Sequence, residues 1–131
     1  MPYVEVTLDP APSAEQAAQL ARDITDAMAS EVGKRREVTA LRVIGSEAIL
    51  WTIDAKPTQR TTAYLDVKIT QGTNSGEEKA ALIKLLNQIL LKIFGELEEA
   101  SYIVINELAA ENWGYAGLTQ ANRANLRGAL I

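Results

Sequence analysis

Pro2 directly follows the initiator Met1, and a proline at that place is a latent base. Initiator methionine is trimmed before small residues, and proline counts among them. The product would be a secondary amine held rigid by its ring. An α-amino group titrates near about 8. Burial or neighbouring cations would lower it toward roughly 6–7, where a general base works best. Few other groups compete for the role, because the 131-residue sequence contains no His and no Cys. The commonest base, the commonest metal ligand and the thiolate nucleophile are all excluded. A proline after Met1 is also acceptable simply as the first residue of a strand.

Three further positions carry groups that could serve such a base. Lys34 opens the run Lys34-Arg35-Arg36, which either complements a helix dipole or holds a carboxylate. Tyr102 lies in a strand pattern, as a packing residue or a hydrogen-bond donor. Trp113 belongs to the turn-rich stretch from Glu111 to Gly117, a hairpin, a subunit contact or an aromatic wall. The segment Gly72-Thr73-Asn74-Ser75-Gly76 lacks the Walker lysine and fits a helix start better than a phosphate loop. Glu77-Glu78 and Glu98-Glu99 read as solvated helix ends. No carboxylate cluster has metal-ligand spacing, so neither a metal nor a cofactor is expected.

The elements that must position these residues are written twice. Tyr3 to Leu8 alternates with Val4, Val6 and Leu8 on one face, a strand pattern. Ser13 and Gln16 form a capping box before a helix with Ala17, Leu20, Ala21, Ile24 and Met28 on one side. Gly33 ends it, and Val38 to Ile44 reads as the next strand. The order then recurs. Ala63 to Ile69 alternates, Ser75 opens a helix that Gly95 ends, and Ser101 to Leu108 is a strand. Ser13/Ser75, Gly33/Gly95 and Trp51/Trp113 share an offset of 62, whereas the opening strands align best at 61.

These patterns predict an α+β fold in one domain over residues 1–131. Two β-α-β units, about 2–53 and 61–115, would form a four-stranded mixed sheet with both helices on one face. The segment from Asp54 to Arg60 would be a linker and 116–131 a tail. The bare sheet face would be covered by other copies of the chain.

The hydrophobic share of 47% suffices for a core of this size. A net charge of −4 and a pI near 4.9 argue against a nucleic-acid binder. The apolar stretch from Ala80 to Phe94 is broken by Lys84, Asn87, Gln88 and Lys92, which argues against a membrane span. The first ten residues lack the basic-then-apolar order of a signal peptide. A cytoplasmic protein is expected.

Taken together, Pro2, the repeated β-α-β pattern, the segment Thr39 to Ile44 and the segment from Tyr102 to Gly114 resemble the tautomerase superfamily. Its 4-oxalocrotonate tautomerase members resemble one unit of this chain, and its macrophage migration inhibitory factor members resemble the doubled length. The resemblance implies a homotrimer with sheets around a central channel and helices outside. It implies keto–enol tautomerisation of a small 2-oxo acid, with Pro2 as acid and base. Lys34 would hold the substrate carboxylate, Tyr102 of a neighbouring subunit would donate a hydrogen bond, and Trp113 would wall the pocket. Arg42 resembles the oxalocrotonate arginine within the first unit. Ala63 replaces the proline in the second unit, which implies a silent counterpart site. Hydration, dehalogenation or decarboxylation at the same proline, and a non-catalytic trimer, are the alternatives. Against the first set, Gly72-Thr73-Asn74 offers no arginine pair.

Overall fold

A computed structural model describes residues 2–127 of the chain. Strand β1 (Tyr3–Asp9) leads into helix α1 (Ala14–Val32). A short 3-10 turn (Arg36–Val38) precedes strand β2 (Ala40–Gly45), and a small hairpin follows, β3 (Thr52–Ile53) with β4 (Lys56–Pro57). The second unit repeats the order with β5 (Thr62–Thr70), α2 (Gly76–Phe94), β6 (Tyr102–Leu108) and the hairpin β7 (Gly114–Tyr115) with β8 (Leu118–Thr119). Helix α3 (Gln120–Arg127) ends the described chain.

The capping boxes form as the sequence dictates. Ser13 and Ser75 each accept from the backbone N–H three residues on, and Gln16 and Glu78 reach back to the cap N–H. Both helices run 19 residues and end at a glycine in the left-handed region, Gly33 at φ 67° and Gly95 at φ 78°.

The strand order is β2-β1-β5-β6, with β1 parallel to β2, β5 parallel to β6 and β1 antiparallel to β5. This is the mixed four-stranded sheet the repeat predicts. Val4, Val6 and Leu8 on β1 and Leu65, Val67 and Ile69 on β5 are fully buried. They pack against Leu20, Ile24 and Met28 of α1 and Leu82, Leu86 and Leu90 of α2 in one core. Alternation sends the remaining side chains to the other face. There Arg42 stands 3.8 Å from Glu5, Asn106 donates to Asp66 at 2.6 Å, and Lys68 pairs with Asp66.

Register settles the repeat. Tyr3 pairs with Ala40 and Tyr64 with Tyr102, so the opening strands are offset by 61 and the closing strands by 62. Two expectations change. The stretch from Asp54 to Arg60 is no plain linker, because Asp54 and Ala55 take positive φ and close the first hairpin. Residues Ala116 and Gly117 do the same in the second. Each unit therefore ends in a Trp followed by a two-residue turn with both φ positive, which matches the twist of paired strands. The expected tail likewise holds β8 and α3; its residues 128–131 lie outside the described part. Gly114 has no room for a side chain, since a Cβ would stand 2.0 Å from the Leu118 carbonyl oxygen.

Candidate active site

Pro2 is buried and continues β1, its carbonyl accepting from the Ala40 N–H at 3.3 Å. The antiparallel ladder, extended by one residue, sets it opposite Ile69. Because α1 runs back along β1, its C-terminal end and Lys34 come to this same end of the sheet. Lys34 is 9% exposed, and its Nζ donates to the Thr73 hydroxyl at 2.9 Å. Thr73 in turn donates to the Thr70 carbonyl at 2.7 Å. Burial pushes the Lys34 ammonium below the usual lysine range, and the carboxylates of Glu78 and Glu107 partly restore it.

Glu107 completes the cluster. It accepts from Lys79 Nζ at 2.8 Å, and this hydrogen bond is the first cause holding its carboxyl below the usual range. Glu78 is lowered chiefly by the Ser75 N–H of the capping box. Sequence reasoning placed Glu78 among solvated helix ends and singled out neither Lys79 nor Glu107. A signal was present, because Glu107 continues the alternation of Ile103 and Ile105 and so falls on the core-facing side of β6.

Tyr102 lies elsewhere. It pairs with Tyr64, which pairs with Thr7, so it sits at the opposite end of the sheet, beside Ala63. It is 66% exposed. A cleft of 520 Å³ lined by Ile53, Glu98, Glu99, Ala100 and Tyr102 opens there. Its counterpart in the first unit is Ala40. Arg42 pairs with Glu5, two rows further along, so the register does not make it the first-unit equivalent of Tyr102.

Trp113 follows the end of β6. Its carbonyl accepts from the Gln120 N–H at 2.9 Å, which ties it to α3. Its indole N–H is buried with no hydrogen-bond partner among the described residues. A shallow cavity of 480 Å³ runs along residues 111–119. Arg123 stacks over the Tyr115 ring at 3.7 Å and donates to the Tyr115 carbonyl at 2.8 Å, fixing this hairpin to α3. Within one chain, then, Pro2 and Lys34 share a sheet end, Trp113 lies beyond the edge strand, and Tyr102 is remote. Among the described residues no group of three or more acidic, His or Cys side chains could hold a metal ion, and no helix is long and apolar enough to cross a membrane.

Residues 64–123 match the family model for the tautomerase enzymes. A protein of Dickeya dadantii (strain 3937) described as Probable tautomerase K2 is 27% identical over 60 residues, 46% of this chain and 90% of that protein. The macrophage migration inhibitory factor-like protein of Entamoeba histolytica superposes with a TM-score of 0.76 at 21% identity, covering 90% of this chain and 97% of that one. A fused 4-OT described as a symmetric trimer gives 0.79 at 20% identity, covering 92% and 98%. The family match begins one residue after Ala63, so it falls on the unit that lacks the proline. The second unit thus matches the tautomerase family model in sequence, and the chain as a whole shares the fold of these two solved structures.

Proposed function

We propose that the chain is a tautomerase interconverting the keto and enol forms of a small 2-oxo acid, with Pro2 as acid and base once Met1 is removed. The observation that carries this reading is a buried Pro2 at the same end of the sheet as a sequestered lysine. In the forward direction the Pro2 nitrogen takes a proton from the carbon next to the carbonyl. The C–H electrons form the C=C bond, and the carbonyl π electrons move to oxygen. That oxygen then receives a proton to give the enol; the reverse route returns the proton from Pro2 to carbon. Lys34 holds the substrate carboxylate.

The working unit is a homotrimer, and Tyr102 of a second copy donates a hydrogen bond to the developing enolate oxygen. Three features support assembly. Both edge strands, β2 and β6, have an outer side that pairs with no strand of the sheet. Ile49 and Leu50 are strongly exposed beside the first hairpin. Tyr102 is exposed and far from its own Pro2. Trp113 of the same assembly shields the pocket from water. The test is turnover of phenylpyruvate enol by the parent and by Pro2→Ala, with intact mass reporting removal of Met1. An equally fast Pro2→Ala enzyme refutes the reading.

A further inference from the structure

The two units act as controls for one another, because a residue the common frame requires should recur in both. Lys34, Thr73, Glu78, Lys79 and Glu107 gather at the Pro2 end. Their repeat counterparts at the Ala63 end are Glu96, Ala11, Gln16, Ala17 and Gly45. The same strands and helix form there without a lysine–threonine or lysine–glutamate contact. The frame therefore does not need these contacts; something particular to the Pro2 end does.

Glu107 is the most anomalous member. It is the one charged side chain on the helix-facing side of the four-stranded sheet, among the described residues. A carboxylate there loses hydration and needs a partner, which Lys79 supplies at 2.8 Å. Ile69 lies opposite Glu107 on β6 and, by the extended ladder, opposite Pro2 on β1. Glu107 is thus two strands from Pro2 in the same row, about 10 Å at the usual strand spacing.

The charges can be counted. Lys34 and Lys79 bring two ammonium groups, and Glu78 and Glu107 bring two carboxylates. The N-terminus of α2 adds a partial positive charge of about half a unit, and the C-terminus of α1 at the same end adds a partial negative charge of about the same size. Lys79 is already taken by Glu107 and Glu78 by the cap of α2, whereas Lys34 bonds a neutral hydroxyl, so Lys34 is the cation left for one added carboxylate and a second finds none.

We propose that Glu107 is a specificity-determining residue: seated two strands from Pro2 and paired with Lys79, its carboxylate admits substrates with one carboxylate and disfavours those with two. This rests on the reading of the Pro2 end as the catalytic site.

The test compares phenylpyruvate enol, with one carboxylate, and 2-hydroxymuconate, with two. Crotonate and fumarate serve as the matching inhibitors. Glu107→Gln raises the preference for the two-carboxylate compounds about tenfold, through KM and Ki rather than kcat, as expected for removing one nearby like charge. Lys79→Met, which leaves Glu107 without its neutralising partner, shifts the preference the other way. Glu107→Asp, which keeps the charge, stays near the parent. An unchanged preference in a folded Glu107→Gln enzyme overturns the proposal. So does a shift of the same sign in Glu107→Gln and Lys79→Met, which would mark a packing effect. A Pro2→Ala enzyme of parental activity would instead overturn the catalytic reading itself.

Discussion

Pro2 and Tyr102 stand at opposite ends of one four-stranded sheet. Tyr102 lies in the row of Thr7, and Pro2 opens the same β1 strand. Five residues along the strand and two strands across make roughly 20 Å between them. Tyr102 can serve this proline only from another copy of the chain.

Mixing separates that arrangement from a self-contained site. Pro2→Ala and Tyr102→Phe chains are each expected to be impaired alone. Co-refolded in equal amounts, they regain intact sites in about a quarter of random pairings, since each site takes one residue from each of two copies. Activity that never exceeds the sum of the separate variants would argue against a shared site.

Lys34 gives a pH signature. Its folded pKa is lowered, first by burial, so its charge is lost at a lower pH than an ordinary lysine's. KM for a carboxylate substrate should rise on the alkaline side, before the usual lysine range, while kcat changes less. The stability sign is the opposite of a salt-bridged lysine's. Below the folded pKa the protonated, buried ammonium costs stability, and that cost fades as pH rises from the folded to the unfolded pKa. Lys34→Met should raise KM about tenfold, as for one lost charge-assisted contact, without lowering the melting temperature. A large loss of stability would make Lys34 a structural residue.

Glu107 behaves oppositely. Its folded pKa is depressed, chiefly by Lys79, so its contribution is present above the unfolded pKa and is lost as pH falls through the depressed value. Acid unfolding of Glu107→Gln should be shallower across that window than the parent's. Identical acid limbs would mean that the Lys79 contact does not form in solution.

The helix starts are testable without any functional assumption. Ser75→Ala removes the hydroxyl that accepts the Glu78 N–H at 3.1 Å and should cost about 1 kcal/mol. Leu82→Ala opens the fully buried core face of α2 and should cost about 2–5 kcal/mol. Denaturant titration reads both.

Much of the frame was legible in the sequence because it rests on local rules. Ser13 with Gln16 and Ser75 with Glu78 mark helix starts, Gly33 and Gly95 mark their ends, and Val4, Val6 and Leu8 mark a buried strand face. The hairpins at Asp54-Ala55 and Ala116-Gly117 were harder to read. Three of those four residues are not glycine, and only strand pairing makes their positive φ worthwhile. The cluster around Lys34 was hidden for a different reason. Thr73, Lys79 and Glu107 come from a loop, a helix and a strand, and only the folded chain brings them to the Pro2 end of the sheet. The sequence alone gives Tyr102 no row in the sheet; its pairing with Tyr64 supplies one.

The central claim is that the free amine of Pro2 moves the proton. The most direct measurement is kcat/KM for ketonisation of phenylpyruvate enol by parent and Pro2→Ala, in protein whose intact mass shows Met1 removed. A fall of about 10²- to 10⁴-fold is expected for loss of a positioned general base, with the fold unchanged by circular dichroism. Parental activity in the alanine variant, or in protein that retains Met1, would contradict the claim.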